Sequence, residues 1–311
     1  MLVSLLIPTH NRRELLLLTL NSIAEIEVPE RVEVEVHVVA NACDDDTIEV
    51  LQAFSRDYRF PLEVIEEPVP GSSRARNLLA SHSRGEVLAY LDDDVLVSPG
   101  WLKAVLETFR EYPADLVGGR VELWWRDLER PNWFNEELES VMARKAHGDQ
   151  VCELQNFSGA VTANLAMRRE VFQSVGEFRL DLERRRNRMG SFEDMEFLQR
   201  AKAKGFRMFY HPRAEVKHYV DPQRISKEYL SGMPFGTGMT RVFMKEKFGP
   251  SVAFRALLGH TYLILRHGSG EIISTLRGDA RTGWKHRVHR MVGMGGLQGA
   301  VLRLLGYKER P

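Results

Sequence analysis

The sequence predicts an α/β protein: an open, doubly wound sheet in the first half, a second α/β block after it, and a mostly helical extension. Three observations carry this. Strand-like and helix-like segments alternate through roughly the first hundred residues. The aspartates Asp92, Asp93 and Asp94 close the apolar run Val87-Leu88-Ala89-Tyr90-Leu91, and beyond residue 222 the β-like runs give way to helical texture.

Residues 2–7 read as a buried strand and 12–26 as a leucine-rich helix wide enough to pack on a sheet face. Val32, Val34, Val36 and Val38 alternate with Glu33, Glu35 and His37, the period-2 signature of a half-buried second strand. Residues 47–57 form a helix with Ile48, Leu51 and Phe54 on one face, and 62–65 a third strand. Gly71-Ser72-Ser73 opens a third helix, and Gly85 starts the strand that ends in the aspartates. Ser98 and Pro99 supply an N-cap and a first-turn proline for the helix through Trp101, Leu102, Val105, Leu106 and Phe109. After a strand over 117–121, Trp124, Trp125, Pro131, Trp133 and Phe134 crowd a loop of weak periodicity. From Gly159 a second block runs through a strand, a short helix ended by Gly176, a basic loop, a helix over 192–204 stopped by Gly205, and strands toward His218. Residues 1–222 form one domain, divided near 122/123, and 223–311 a helical extension without repeats.

Carboxylates crowded at a strand end repel one another unless a hard, oxygen-seeking ion such as Mg²⁺ or Mn²⁺ neutralises them. A cation held this way also grips a phosphate. Because the next helix has Ser98 as its cap, capping leaves the triple charge unexplained. Parallel strand ends gather on one edge, where ligands of open α/β sheets bind.

The net charge is formally zero, yet from Arg241 onward 13 Lys and Arg stand against 4 Asp and Glu, leaving +9 there and −9 before it. A basic helical tail suits an anionic membrane surface better than nucleic acid, or else a solvated face. Cys43 and Cys152 have no paired spacing, so no disulfide framework or cysteine metal site is expected, and a reduced cytoplasmic setting follows. The first residues lack a signal-peptide pattern, and the longest late apolar run, 256–265, is too short to span a bilayer.

The motifs taken in order resemble those of inverting family 2 glycosyltransferases of the GT-A fold, over about residues 1–220. Val3-Ser4-Leu5-Leu6-Ile7-Pro8-Thr9-His10-Asn11-Arg12 is similar to that family's first strand and nucleotide-contacting turn. Val38-Val39-Ala40-Asn41-Ala42-Cys43-Asp44-Asp45-Asp46-Thr47 resembles its second strand and loop. Gly71 through Arg76-Asn77 resembles its Gly-x-x-x-Ala-Arg-Asn element, and Tyr90 to Asp94 its metal motif. Ser158-Gly159 with Asn164, Val175-Gly176-Glu177-Phe178, and Glu193-Asp194 before Arg200 and Gly205 repeat its acceptor-side order. Asn41 stands where the family commonly has an acidic residue that reads the donor base, which leaves uracil, guanine or thymine open.

The resemblance implies a nucleotide-sugar half (1–122), an acceptor half (123–222) and a metal-dependent direct displacement with inversion. Asp94 would hold Mn²⁺ or Mg²⁺, with Asp92 or Asp93 turned toward ribose or metal-bound water. Pro8, Thr9, His10 and Asn11 would lie against base and ribose, and Arg76 would place fixed positive charge near the nucleotide. Asp194 is the expected general base, with Glu193 and Glu196 orienting it or the acceptor. His218 is either a third metal ligand or a packed histidine. Trp124, Trp125 and Trp133 form either an acceptor wall or ordinary core. Arg184-Arg185-Arg186-Asn187-Arg188 is a diphosphate-covering loop or a solvated run, and Met189-Gly190-Ser191 its hinge. The partners so implied are a nucleotide-diphosphate sugar, a saccharide or lipid-linked acceptor and an anionic membrane, met through Arg277, Arg281, Lys285, Arg287 and Arg290 near Trp284, Val288, Met291 and Val292. The rival readings are a non-catalytic nucleotide-sugar binder, which intact Asp92, Asp94 and Asp194 argue against, and a sugar nucleotidyltransferase, which would want glycines after the first strand.

Overall fold

In a computed structural model that describes residues 1–126, 128–182, 193–245 and 248–307, the N-terminal alternation becomes strand β1 (Leu2–Thr9), helix α1 (Arg13–Ala24), β2 (Glu33–Asn41), α2 (Thr47–Phe54), β3 (Leu62–Glu67), α3 (Ser72–His82) and β4 (Val87–Leu91). Short β5 (Val95–Val97) follows the aspartates, then α4 (Trp101–Glu111) and β6 (Leu116–Trp124). After α5 (Glu136–Val141) come β7 (Cys152–Glu153), β8 (Asn164–Arg168), α6 (Arg169–Val175), α7 (Glu193–Ala203) and the long β9 (Met208–Tyr219). The C-terminal part holds α8 (Lys227–Phe243), α9 (Pro250–Leu276) and α10 (Ala280–Leu304). The basic run 184–188 and the 189–191 segment lie outside the described residues.

Met1–Trp124, Arg144–Leu180 and Glu193–Tyr219 form one unit. The other, among the described residues, is built around 125–143 and 220–307, so that 125–143 falls with the C-terminal helices rather than with the strands on either side.

In the first unit β1 to β4 are parallel, in the order β3-β2-β1-β4. Antiparallel β8 joins β4, and β6, β9 and β5 continue the sheet. Both faces are covered. Val3, Leu5 and Ile7 share a core with Leu16 and Leu20 of α1 and Trp101 and Val105 of α4. Leu6, Leu88 and Tyr90 share another with Leu79 of α3, Val171 of α6 and Phe197 of α7. Each such side chain contributes about 1.5–3 kcal/mol of burial, which fixes the strand register and so the edge that carries the site.

Two local expectations change. β2 is buried on both faces, not one: Glu35 and His37 are covered as well. Glu35 accepts hydrogen bonds from Ser4 Oγ (2.7 Å), the Arg84 N–H (2.7 Å) and the Arg84 guanidinium (3.1 Å), with His37 Nε2 at 3.2 Å, so its charge is buried but solvated by protein. Ser98 does not cap α4. Its carbonyl accepts the Trp101 N–H (3.0 Å) in a turn through Pro99, and the helix starts two residues later than the proline suggested.

The second unit is held by close helix contact. A Cβ on Gly295 of α10 would lie 1.8 Å from the Phe235 carbonyl oxygen of α8, and one on Gly238 would lie 1.9 Å from that of Val292, so only glycine lets these backbones approach. Asn135 caps α5 by accepting the Leu138 N–H (3.0 Å) and donates to the Arg281 carbonyl (2.8 Å). Among the described residues no helix is long and apolar enough to cross a membrane.

Candidate active site and metal centre

The parallel strands deliver their C-terminal ends to one edge. Thr9, the last residue of β1, donates from Oγ1 to Asp93 Oδ2 at 2.6 Å, joining the ends of β1 and β4. Past the aspartates, β5 pairs antiparallel with β9, with Val95 opposite His218, and the Tyr219 N–H donates to the Asp94 carbonyl (2.9 Å). That register lays the imidazole beside the cluster. His218 Nε2 is 3.3 Å from Asp94 Oδ1 and 3.7 Å from Asp92 Oδ2, and one ligand atom from each of the three residues lies within 4.8 Å of the others.

Asp94 divides its oxygens. Arg12 Nη1 donates to Oδ2 at 2.6 Å, whereas Oδ1 is buried and accepts no hydrogen bond. A buried carboxylate oxygen without a donor costs about 1–3 kcal/mol or more, and a cation removes that cost. Two carboxylates and one imidazole fit a divalent metal ion. Asp93 is pushed well above the ordinary carboxylate range by burial and then by the Asp94 charge, against the opposing pull of Arg12 and Thr9. The cluster carries more negative charge than its own cations offset.

Helix α3 ties this edge to α7. Arg76 Nη1 donates to Glu193 Oε1 at 2.5 Å, Ser72 Oγ donates to the same oxygen at 3.0 Å, and Arg76 Nη2 lies 3.9 Å from Asp92 Oδ1. Arg76 Nε is buried without a hydrogen-bond partner, as is Asp94 Oδ1. Ser73 Oγ donates to the Arg179 carbonyl (2.9 Å), and Asn77 exchanges two hydrogen bonds with the Phe178 backbone (2.9 and 2.8 Å). Asp194 follows Glu193 in the first turn of α7 and is partly exposed, with Oδ1 accepting the Met195 N–H at 2.6 Å. Its carboxyl is pushed up to about 6, first by burial and then by Glu193, with Arg76, the Met195 N–H and Lys145 pulling the other way.

The strand-end residues take up different positions. Pro8 sits past the last β1–β4 pair, Leu6 with Tyr90, where its missing N–H is tolerated. His10 is exposed, with Nδ1 2.8 Å from the Asn41 carbonyl, and Asn11 in the left-handed region (φ 51°) exchanges hydrogen bonds with Asp44. The Asn41 side chain is committed to the β3–α3 connection: Nδ2 donates to the Val69 carbonyl (2.8 Å) and Oδ1 accepts the Gly71 N–H (2.7 Å).

Contacts within one unit thus link Thr9, Asp92, Asp93, Asp94, His218, Arg76 and Glu193, with Asp194 next to Glu193 in the chain. Glu196 is not among them, being bonded to Arg200 (2.8 and 2.9 Å). Trp133 belongs to the other unit and stacks on Trp284, ring centroids 5.5 Å apart, while Trp124 packs on Tyr219 and Trp125 on Phe134. The sequence reading gave no site role to Arg12 or Ser72. Arg12 follows the Pro-Thr-His-Asn turn beside Arg13, and of the two the structure sets only Arg12 against the aspartates, Arg13 pairing with Asp46.

An open α/β sheet with a carboxylate–imidazole cluster at its parallel strand ends, and a second carboxylate-bearing helix beside it, agrees with the GT-A fold that the motifs resemble. Residues 4–176, more than half of the chain, match the family described as Glycosyl transferase family 2. The chain belongs to that family and is a glycosyltransferase of its inverting kind. It is similar to Glycosyltransferase AglE of Haloferax volcanii, 30% identical over 253 residues that cover 79% of this chain and 75% of the relative. It is also similar to Succinoglycan biosynthesis protein ExoM of Rhizobium meliloti, 29% identical over 231 residues, 74% and 71% of the two chains. The mannosyltransferase PcManGT from Pyrobaculum calidifontis, in complex with GDP-Man and Mn²⁺, shares the fold at a TM-score of 0.62 and 18% identity, covering 98% of this chain and 87% of that one. S. aureus TarS 1-349 in complex with UDP does so at 0.54 and 15%, covering 99% and 92%; of a longer TarS chain this chain spans 43%.

Proposed function

We propose that the protein moves a sugar from a nucleoside-diphosphate sugar to an acceptor hydroxyl, with Asp194 as general base and Asp92, Asp94 and His218 holding the metal, in polysaccharide or glycolipid assembly at the cytoplasmic face of a membrane. The observation that carries it is the buried, donor-free Asp94 Oδ1 within reach of Asp92 and His218. An imidazole in the set favours Mn²⁺ over Mg²⁺, and the fold neighbour with GDP-Man holds Mn²⁺. When bound, the ion supplies Lewis-acid neutralisation of the departing diphosphate.

The chain's own residues do the rest. Thr9, His10 and Asn11 flank the base and ribose, and Asn41 shapes that edge through the Gly71 loop. The partnerless Arg76 Nε offers a fixed donor to anionic oxygen. Asp194 Oδ2 takes the acceptor proton as the new bond forms, and since no second carboxylate need act as nucleophile the anomeric centre inverts. The relative named for succinoglycan biosynthesis supports a saccharide acceptor.

The test is release of nucleoside diphosphate from a panel of UDP-, GDP- and dTDP-sugars, with and without Mn²⁺. One donor is expected to be turned over, and Asp94→Ala to weaken its Mn²⁺-dependent binding by about a hundredfold or more. Donor binding by Asp94→Ala equal to wild type at every Mn²⁺ concentration would place the cation elsewhere. Pyrophosphate release from a nucleoside triphosphate would replace the reading by nucleotidyl transfer.

A further inference from the structure

The basic residues expected to meet a membrane fall mostly on α10, but Trp284 and Val288 of that helix are buried. Its cations are spent inside the unit as well: Lys285 pairs with Glu137, and Arg287 and Arg290 both donate to Glu271 of α9. On α9 an apolar face stays uncovered. Phe254, Leu258, Tyr262, Leu265, Ile272 and Leu276 are all more than half exposed, Leu265 at 68% and Leu276 at 82%. Their spacings of 4, 4, 3, 7 and 4 residues place them within a sector of about 80° on a helix turning 100° per residue. Over this stretch the stripe runs about 33 Å.

Arg255, Arg266 and Arg277 border it on one side at intervals of 11 residues, a spacing that drifts only about 20° and so makes a row. All three are exposed, and none is bonded to a carboxylate among the described residues. Glu271, the one acidic residue of α9, faces inward to Arg287 and Arg290. Arg266 donates to Tyr262 Oη at 2.9 Å, a phenol held at the border between the apolar stripe and the cations. Ile264 lines an open apolar groove of about 570 Å³ with Phe235, Met294, Leu297 and Val301, room for an acyl chain beside the stripe.

We infer that α9 is the membrane-docking helix, lying in the interface of an anionic bilayer with Leu258, Leu265, Ile272 and Leu276 among the acyl chains and Arg255, Arg266 and Arg277 on the headgroup phosphates. This deepens the membrane setting proposed above and rests on it. Charge selects the occupant. Two copies packed through this face would bring arginine rows together with no carboxylate on the face to meet them, whereas an anionic lipid surface supplies the complementary sign.

The experiment is sedimentation of the full-length protein with vesicles of phosphatidylcholine alone or mixed with phosphatidylglycerol, in the absence of donor sugar. Binding is expected to be at least tenfold tighter with phosphatidylglycerol and to weaken at high salt. Leu265→Glu with Leu276→Glu should lower it at least tenfold on both vesicle types. Arg255→Gln, Arg266→Gln and Arg277→Gln together should abolish only the preference for anionic lipid. These positions are exposed, so unchanged melting curves and donor binding will show that the variants fold. No sedimentation with either vesicle, or sedimentation unmoved by the leucine changes, overturns the inference. So does a dimer in light scattering that the leucine changes convert to monomer, which would assign the face to a second copy. Vesicle binding without any nucleoside-diphosphate release would leave the docking helix standing and remove the proposed function instead.

Discussion

Replacing Asp194 with asparagine separates the two things the side chain does: it can accept a proton, and it is a charge kept away from much of its water. The carboxyl is raised from 3.8 to about 6 by burial and by Glu193. A group titrating near 6 is about tenfold depleted in its basic form at about pH 5, so kcat/KM of the wild type should fall with unit slope on the acid side of about 6. General-base catalysis is worth ~10²–10⁴-fold, or ~3–5 kcal/mol, and Asp194→Asn should lose that amount near neutrality together with the acid limb. Donor binding should be almost unchanged, because the Asp194 carboxylate is bonded to the Met195 N–H at the start of α7, while Asp92, Asp94 and His218 form the proposed metal set.

Stability should move the opposite way. A folded-state pKa raised above the unfolded value stabilises the protein below about 3.8, and that contribution is lost as pH rises through about 6. The loss is about 1–2 kcal/mol after allowing for the water the partly exposed side chain keeps, and Asp194→Asn should not suffer it. Urea melts at about pH 4 and about pH 7, set beside diphosphate release over the same range, check both. A variant that retains transfer with its acid limb, or that is less stable than wild type at neutral pH, refutes this assignment of the base.

Two further predictions concern the scaffold. Burial alone would raise the Glu35 carboxyl, but the Arg84 N–H, Ser4, His37 and the Arg84 guanidinium outweigh it and hold the group at about 2. Its stabilisation is therefore present above about 4.5 and lost as pH falls toward 2; Glu35→Gln should cost up to ~3 kcal/mol in urea melts at neutral pH and nothing near pH 2. Equal melts at neutral pH would mean the buried charge is not stabilising. Gly295→Ala should lower stability by about 1–3 kcal/mol, because its Cβ meets the Phe235 carbonyl oxygen at 1.8 Å, while Gly259→Ala, with nothing within 4 Å, should be neutral or gain up to ~1 kcal/mol from helix propensity. Thermal melts of the two side by side decide it.

What the sequence disclosed follows from the range over which each residue's role is set. Apolar and alternating runs and their ends are local, so Asn41 and Asp92 to Asp94 could be placed at strand ends by inspection, and Thr9 in the turn after residues 2–7, although β1 runs on through Thr9. Glu35 and His37 misled because alternation records polarity, and their partners Ser4, Arg84 and Glu63 come from other elements that alternation does not see. His218 remained open between ligand and core because its position beside Asp94 depends on β5 pairing with β9 across more than a hundred residues. In the tail, the basic run with Trp284 marked α10 as the amphipathic helix. Packing against α8 and α9 turned those apolar residues inward and left the α9 stripe outside.

The element from Gly71 to Asn77 shows how a short motif acts at long range. Its side chains spend themselves on the other half of the same unit: Ser72 and Arg76 on Glu193, Ser73 on the Arg179 carbonyl, Asn77 on the Phe178 backbone. Arg76 stands between Asp92 and Glu193, with its charge acting on both and on Asp194. A single guanidinium therefore links the carboxylate–imidazole cluster to the start of α7, next to the residue proposed as base. Lysine could preserve the charge but not the two-sided reach, since one ammonium cannot hold Glu193 at 2.5 Å while a second nitrogen stands 3.9 Å from Asp92. A motif that looks from its sequence like a nucleotide contact is, in this structure, first a strut between Asp92 and Glu193.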